Sequence, residues 1–210
     1  MASPGQGYTG PVDDHFDGFI AGVGTAAGLR AVVGHWPRSP LGPFTDVMVE
    51  RADGHRMLLA PSREVADFVA DTYVFDEVRV GTVTARTDGT HWEVDAPPLT
   101  LAFTVGGRTA LGSLLRAVPR PLATHPRWIT AIDVVARAVL PGVRTRGSAA
   151  GGREEFYGAL DLHRITTAAT VWDGADQGTL APVAPPVRFG FGSTPRAPSL
   201  TRVSTLVRRP

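Results

Sequence analysis

The sequence predicts an α+β fold of mostly antiparallel strands, in which a curled sheet or a closed β-barrel or cone is packed with one or two helices. Residues 44–105 alternate apolar and polar side chains with period two and carry turn residues at short intervals, which is typical of antiparallel strands. The clearest helical spacing of apolar residues is confined to residues 128–140. The chain has 210 residues, of which 43% are hydrophobic, so it can bury one sizeable core and we interpret residues 1–210 as a single domain.

The first predicted hairpin joins residues 46–51 to residues 55–61. Asp53-Gly54 lies between the two strands, and this dipeptide tolerates the positive φ angles of a tight turn. The hairpin is followed by Ser62, whose hydroxyl can accept a hydrogen bond from the first amides of a helix. We therefore expect a short helix that follows Ser62 and runs to Val69.

A second hairpin is predicted over residues 78–96, with Asp88-Gly89 as its two-residue turn. This register places Arg86 opposite His91. One face of the hairpin is apolar, and the other is a polar face that includes His91, Glu93 and Asp95. Carboxylate and imidazole groups in this arrangement suit a hard metal or a proton relay, but the neighbouring Arg86 guanidinium favours solvated cross-strand pairing instead.

The rest of the chain is predicted to add one more strand to this meander, then helices, then further strands. Residues 99–105 alternate large apolar residues with threonine and alanine, which predicts a third strand. Helices are predicted over residues 110–117 and 128–140, and Pro141-Gly142 ends the second of them. Strand patterns return over residues 153–171, 187–191 and 203–207.

The segment richest in reactive side chains is residues 153–164, REEFYGALDLHR. In a regular strand, alternation puts four of its polar side chains on one face: Glu155, Tyr157, Asp161 and His163. Such a face can orient a ligand or move a proton, or it can be the ordinary solvent-exposed face of an antiparallel strand. Glu155 and His163 would be roughly 26 Å apart along a straight strand, so Tyr157 or Asp161 is a nearer partner for His163.

A second candidate segment is residues 187–202, VRFGFGSTPRAPSLTR. It places glycines and Ser193-Thr194 beside arginines that include Arg188 and Arg196. Guanidinium groups and exposed backbone amides suit a carboxylate or a phosphate. The alternative is a tight connection that needs glycine for its backbone conformation.

The composition excludes several reaction classes. All 21 basic side chains are arginine, and the chain has neither lysine nor cysteine. It therefore cannot form an imine through a lysine, use a thiolate nucleophile, or hold zinc through cysteine. Gly22, Gly24 and Gly28 lack the spacing of a dinucleotide fingerprint, and the sequence contains no P-loop and no H-E-x-x-H motif. We predict no cofactor and no metal.

Charge and hydropathy set expectations about partners and location. The net charge of +1 is spread along the chain, so we expect no nucleic-acid partner. Charged residues interrupt the two most apolar windows, residues 19–33 and 129–143, so we expect no membrane span. The N-terminal residues lack the basic and apolar regions of an export signal, which predicts a cytoplasmic location. We also expect residues 1–15 to be flexible.

Several phrases of the sequence together resemble the acetoacetate decarboxylase-like superfamily. They are SPLGPFTDVMVE, EEFYGALDLHRI and PPVRFGFGS, and the strand meander and the central helical segment lie between the first and the second. The resemblance covers residues 36–207. It implies a curled β-barrel or cone with an internal cavity for a small-molecule ligand, often within a homo-oligomer.

The missing lysine limits what this resemblance implies. Decarboxylases of the superfamily form an imine between a lysine and a β-keto acid, and arginine cannot replace that amine because its guanidinium stays protonated. We therefore expect a cavity that binds a small carboxylate or carbonyl compound without imine-forming decarboxylation. An arginine would hold the anion, and the polar strand would position the ligand. The predicted ligand-binding residues are Arg153, Glu155, Tyr157, His163, Arg188 and Arg196.

Two other classes of function remain open. The chain could be a structural or interaction module with no small-molecule site, or a non-imine lyase or hydrolase. An enclosed cavity that contains Tyr157 and His163 would favour ligand binding, whereas a barrel filled with side chains would favour the module.

Overall fold

The computed structural model describes residues 12–131, 146–148, 154–190 and 194–209. Thirteen strands in these ranges form one sheet. The strands are β1 (Val12–Thr25), β2 (Arg30–Arg38), β3 (Phe44–Glu50), β4 (Arg56–Ala60), β5 (Glu77–Val80), β6 (Thr84–Thr87), β7 (His91–Ala96), β8 (Leu99–Arg108), β9 (Arg146–Ser148), β10 (Glu154–Trp172), β11 (Ala175–Asp176), β12 (Leu180–Ala181) and β13 (Ser199–Arg209). The helices are α1 (Arg63–Ala70), α2 (Ala110–Ala117), α3 (Arg120–Ala123) and α4 (126–131).

The sheet is antiparallel except at one edge. Its main path runs β5-β4-β3-β2-β1-β13-β10-β8-β7-β6, and the β4–β5 pair at one edge is parallel. β9 and β11 pair with β10, and β12 pairs with β1. The sheet curls into a half-barrel, which confirms the predicted α+β class with a mostly antiparallel, curled sheet.

The inner face of the half-barrel is packed with one apolar cluster. β1 to β4 contribute to this cluster from one half of the sheet, and β7, β8 and β10 contribute from the other half. The sheet must curl for these side chains to meet. Trp92 and Phe103 stack with ring centroids 5.7 Å apart, and Leu99 and Leu101 are fully buried. The alternation predicted for residues 99–105 is therefore confirmed.

The outer face of β1 to β4 and β13 carries a second apolar cluster, which α1 covers. α1 buries Val65, Ala66 and Val69 against it. Ser62 caps the helix by accepting a hydrogen bond from the Val65 amide at 3.2 Å. Phe189, in the irregular segment before β13, is buried in the same cluster. The short helix predicted after Ser62 is confirmed.

The remaining helices pack on β10 and β13 at the inner side of the sheet. α2 approaches β10 so closely that a Cβ on Gly112 would collide with the Leu162 carbonyl. Ile129 of α4 packs with Phe156 and Leu206. The helix predicted over residues 110–117 is confirmed, and the one predicted from residue 128 is helical through residue 131, beyond which it lies outside the described residues. None of the helices in the described ranges is long and apolar enough to cross a membrane.

The hairpin around Asp88-Gly89 has a different register from the one predicted. Arg86 lies opposite Glu93 rather than His91. The carboxylate of Asp88 accepts hydrogen bonds from the amides of Thr90 and His91, at 2.8 and 2.7 Å, which lengthens the turn. Because the register moves by two residues, each side chain keeps its predicted face.

The segment before β13 also differs from expectation. Residues 187–190 form no strand, because the Arg188 amide donates to the carboxylate of Glu50 rather than to a neighbouring strand. The strand predicted over residues 203–207 is confirmed and is longer, since β13 begins at Ser199. Residues 12–15 belong to β1.

Candidate functional site

A β-bulge in β10 divides the polar stripe that the sequence predicts. In the pairing of β10 with β13, Tyr157 lies opposite Thr205, whereas His163 lies opposite Leu200. The register shifts by one residue after Ala159, and one extra residue moves every later side chain to the other face of the sheet. Tyr157 therefore lies on the outer face with α1, and His163 lies on the inner face. The prediction that they share one face is wrong.

The structure places the other predicted ligand-binding residues in different surroundings. Arg188 contacts Glu50 through its Nε atom, at 2.8 Å from Oε1. Arg196 is exposed on the segment before β13. Arg153 and the side chain of Glu155 lie outside the described residues.

A pocket lies between the outer face of the sheet and α1. Its free volume is about 50 Å³. Phe68, Thr72 and Tyr157 are half-buried, and the other lining residues are buried. Tyr157 is the one predicted ligand-binding residue that lines this pocket within the described part of the chain. The lining consists of Phe16, Ile20, Val32, Gly34, Trp36, Phe44, Asp46, Met48, Phe68, Val69, Thr72, Tyr73, Tyr157, Thr205 and Val207.

Asp46 on β3 is the acidic group of this pocket, and its side chain is deeply buried. The residue is 4% exposed, and burial raises the pKa of its carboxyl to about 7. Trp36 Nε1 donates a hydrogen bond to Oδ1 at 3.0 Å, which lowers the pKa but does not outweigh burial. Below pH 7 the carboxyl is therefore a neutral acid that can donate a hydrogen bond.

Two glycines make room for the Trp36 indole. A Cβ on Gly34 would come within 2.5 Å of Asp46 Oδ1 and within 2.6 Å of Trp36 Nε1. A Cβ on Gly18 would come within 2.9 Å of Trp36 Cε3. Gly34 lies directly opposite Asp46 in the pairing of β2 with β3. The missing side chain at Gly34 thus lets the indole reach the carboxyl.

The other end of the pocket carries hydroxyl groups. The hydroxyl oxygens of Tyr73 and Tyr157 are 2.6 Å apart. Thr205 is 3% exposed, and its Oγ1 has no hydrogen-bond partner within the described parts of the chain. Because β1 and β2 separate β13 from β3, the backbones of Thr205 and Asp46 are at least roughly 14 Å apart across the sheet. The pocket therefore has two polar ends with aromatic side chains between them.

A second buried carboxylate on β3, that of Glu50, is fully paired. Arg30 Nη2 lies 3.3 Å from it, and the backbone amide and the Nε of Arg188 lie at 2.7 and 2.8 Å. The Arg30 guanidinium also donates to the carbonyls of Pro185 and Arg51 at 2.9 and 3.1 Å. These contacts fasten the segment before β13 onto β3. The Arg188 side chain is nevertheless 67% exposed.

Asp161 and His163 belong to a charged cluster on the inner side of the sheet. Arg108 Nε donates to both carboxylate oxygens of Asp161, at 2.8 and 3.1 Å. His163 Nε2 is 3.5 Å from Asp161, and His163 Nδ1 donates to the Gly106 carbonyl at 3.1 Å. Burial raises the pKa of Asp161, but the hydrogen bonds from Arg108 and the Leu162 amide outweigh it, so the pKa is lower than usual. Among the described residues, no three histidine, aspartate or glutamate side chains are placed to hold a metal ion.

Asp46 is not among the predicted ligand-binding residues, although β3 carries a signal for it. Residues 44–50, FTDVMVE, are apolar at positions of both faces, which is typical of a strand that is covered on both sides. Every residue of β3 is buried. A carboxyl in such a strand must be neutral or paired, and Asp46 and Glu50 are examples of the two solutions.

Comparisons with known proteins do not identify a family for this chain. No protein-family model matches the sequence, and no curated protein matches it. Among solved structures, the chain is similar to a candidate AttH protein from Nitrosomonas europaea, with 13% sequence identity and a TM-score of 0.31. The match covers 93% of this chain and 50% of that one, so this chain spans about half the length of that protein. Similarity at this level carries no argument, and the resemblance to the acetoacetate decarboxylase-like superfamily stays a prediction.

Proposed function

We propose that the protein binds a short, neutral carbonyl compound in the pocket between the sheet and α1, with the carboxyl of Asp46 as hydrogen-bond donor. The observation that carries this proposal is a buried acid with a pKa of about 7 in an apolar pocket. Perturbed acids in apolar pockets are the usual mark of a binding site. The resemblance to the acetoacetate decarboxylase-like superfamily supports a carbonyl ligand, and the absence of lysine means that no imine forms with it.

The charge of the pocket favours a neutral ligand over a carboxylate. No arginine or histidine occurs among the described lining residues, so a bound carboxylate would have no counter-charge and would be repelled by an ionised Asp46. The small carboxylate expected from the sequence therefore fits this pocket less well than the carbonyl compound. The free volume of about 50 Å³ limits the ligand to a few non-hydrogen atoms.

One observation favours the alternative, a structural or interaction module without a small-molecule site. The inner face of the half-barrel is packed with apolar side chains, and the pocket lies outside it. The two functions differ in whether the pocket takes up a ligand at all, so a binding measurement separates them.

Butanone and butyrate, titrated into the protein at pH 5.5 and pH 8.5 and followed by NMR, test the proposal. We expect butanone to shift the Trp36 indole N–H signal at pH 5.5, because that N–H donates a hydrogen bond to the same Asp46 carboxyl that would bind the ligand. Affinity should fall about fivefold or more at pH 8.5, since the ionised carboxyl cannot donate a hydrogen bond. Stronger binding of butyrate, or butanone binding that is independent of pH, would overturn the proposal, and no binding of either would favour the module.

Three variants locate the ligand within the pocket. Asp46→Asn keeps a donor at every pH and should bind butanone equally at pH 5.5 and 8.5. Asp46→Leu removes the donor and should bind weakly at both pH values. Thr205→Val alters the other polar end and should bind butanone like the wild type, because a short ligand cannot span roughly 14 Å.

A further inference from the structure

A second and larger groove lies at the end of the half-barrel where three hairpin turns meet. The turns join β1 to β2, β3 to β4 and β10 to β11. The groove has a volume of about 500 Å³, which is in the usual range for small-molecule sites. This rim groove is lined by Ala27, Leu29, Arg51, Ala52, Asp53, Trp172, Asp173, Ala175 and Gln177.

The walls of the rim groove are tied to one another. The amides of Ala26 and Ala27 donate to carbonyls in residues 177–179, at 2.9 and 3.0 Å. The buried guanidinium of Arg30 donates to the Arg51 carbonyl at 3.1 Å. These bonds join the β1–β2 turn to the segment that follows β11, and β2 to the β3–β4 turn. Little conformational freedom is therefore lost in these walls when a ligand binds.

The rim groove combines one large aromatic side chain with several planar polar groups. Trp172 is half-buried and packs against the inner apolar cluster, which holds it in place. Arg51 and Asp53 form an ion pair at 3.1 Å, with both side chains about half exposed. Gln177 is oriented by the hydrogen bond that its Nε2 donates to the Ala175 carbonyl at 3.0 Å. The groove thus offers donors and acceptors next to an apolar surface.

We propose that the rim groove binds a neutral carbohydrate of one or two sugar rings. Asp53 and Asp173 outnumber Arg51 among the ionisable lining residues, so an anion is repelled. A wholly apolar ligand would remove water from the charged groups and would not replace the hydrogen bonds that they make with it. A sugar has hydroxyls that both donate and accept, and an apolar C–H face that packs on an aromatic ring. This combination matches the lining.

Calorimetric titration with D-glucose, D-galactose, N-acetyl-D-glucosamine and maltose tests the proposal, with glucuronate and glucosamine as charged probes. We expect at least one neutral sugar to bind, and glucuronate to bind several-fold more weakly than glucose. If none of the neutral sugars binds at tens of millimolar, the proposal is wrong. Preferential binding of glucosamine over every neutral sugar would instead identify the groove as a cation site.

Variants connect any binding to the rim groove. Gln177→Ala and Asp53→Asn each alter an accessible side chain, and each should weaken sugar binding about three- to tenfold. Trp172→Leu should abolish it, and thermal unfolding checks that this variant is folded. Asp95→Asn, on the exposed face of β7, and Asp46→Leu, in the other pocket, should bind sugar like the wild type. Unchanged affinity in the Gln177 and Asp53 variants would overturn the assignment.

Discussion

Trp36 and Asp46 form a hydrogen bond between neighbouring strands, with the indole Nε1 donating to Oδ1 at 3.0 Å. The bond favours the ionised carboxyl, but burial outweighs it and raises the pKa of Asp46 to about 7. In the unfolded chain the same carboxyl has an ordinary pKa near 3.8. Between these two pH values the folded protein holds a proton that the unfolded chain has released. The free energy of unfolding must therefore depend on pH through Asp46.

Replacing Asp46 with asparagine should remove this pH dependence. A raised pKa contributes stability that is fully present below about pH 4 and is lost as the pH rises to about 7. The asparagine amide stays neutral at every pH. As the pH rises across this window, the free energy of unfolding of Asp46→Asn should therefore increase relative to that of the wild type by up to roughly 4 kcal/mol. Urea unfolding of both proteins from pH 4.5 to pH 8.5 measures the difference. A difference that stays constant with pH would contradict the pKa, and Asp95→Asn on the exposed face of β7 is the matched control.

The contact between Trp36 and Asp46 should also be sensitive to Gly34. Gly34→Ala introduces a Cβ within 2.5 Å of Asp46 Oδ1 and 2.6 Å of Trp36 Nε1, so the two groups must separate. We expect a loss of about 2–4 kcal/mol in the free energy of unfolding, from overpacking and from a buried donor without a partner. Gly107→Ala is the control, because a Cβ there meets nothing within 4 Å. Equal effects of the two substitutions would contradict the steric argument.

Local patterns in the sequence predict much of this fold. Alternation predicts which residues of β7 and β8 are buried, and Ser62 predicts the start of α1. Both signals act over a few residues, so neighbouring side chains suffice to interpret them. The predicted register around Asp88-Gly89 was wrong because the turn is longer than two residues. The Asp88 carboxylate accepts hydrogen bonds from the amides of Thr90 and His91, and these bonds stabilise the longer turn.

The candidate site was harder to predict because its determinants are distant in sequence. The bulge after Ala159 depends on how β10 aligns with β13, and it separates Tyr157 from His163. Arg188 is far along the chain from its partner Glu50. Asp46 becomes a buried acid where α1 packs over the outer face of β1 to β4. The one local signal is FTDVMVE, which is typical of a strand covered on both faces but does not identify the partner of either of its carboxyl groups.

The buried carboxylate of Glu50 should matter more to stability than the exposed arginine that contacts it. Glu50→Gln leaves the buried Arg30 guanidinium without its counter-charge, and removal of one partner from a buried pair costs about 3–5 kcal/mol. Arg188→Ala should cost less, because Arg30 still neutralises Glu50 and the Arg188 amide still donates to it. Arg38→Ala, which breaks an exposed pair with Asp17, should have little effect. Chemical denaturation of the three variants checks this order, and a larger loss for Arg188→Ala would contradict it.

Asp161 should show the opposite pH dependence to Asp46. Its pKa is lowered in the folded protein, since hydrogen bonds from Arg108 and the Leu162 amide outweigh burial. The stability it contributes is present above its unfolded pKa near 3.8 and is lost as the pH falls through the lower folded value. Asp161→Asn should therefore be less stable than the wild type at neutral pH, by about 1.5–3 kcal/mol for a hydrogen bond to a charged group.

The measurement for Asp161 is chemical denaturation from pH 7 down to about pH 3, compared with Arg116→Ala as control. Arg116 is 65% exposed and lies 3.8 Å from the Asp161 carboxylate, so its removal should change little. The gap between Asp161→Asn and the wild type should narrow as the pH falls, because protonation weakens the contact with Arg108 in the wild type. A gap that widens at low pH would mean that burial determines the pKa of Asp161, as it does for Asp46, and would contradict the role given to the Arg108 hydrogen bonds.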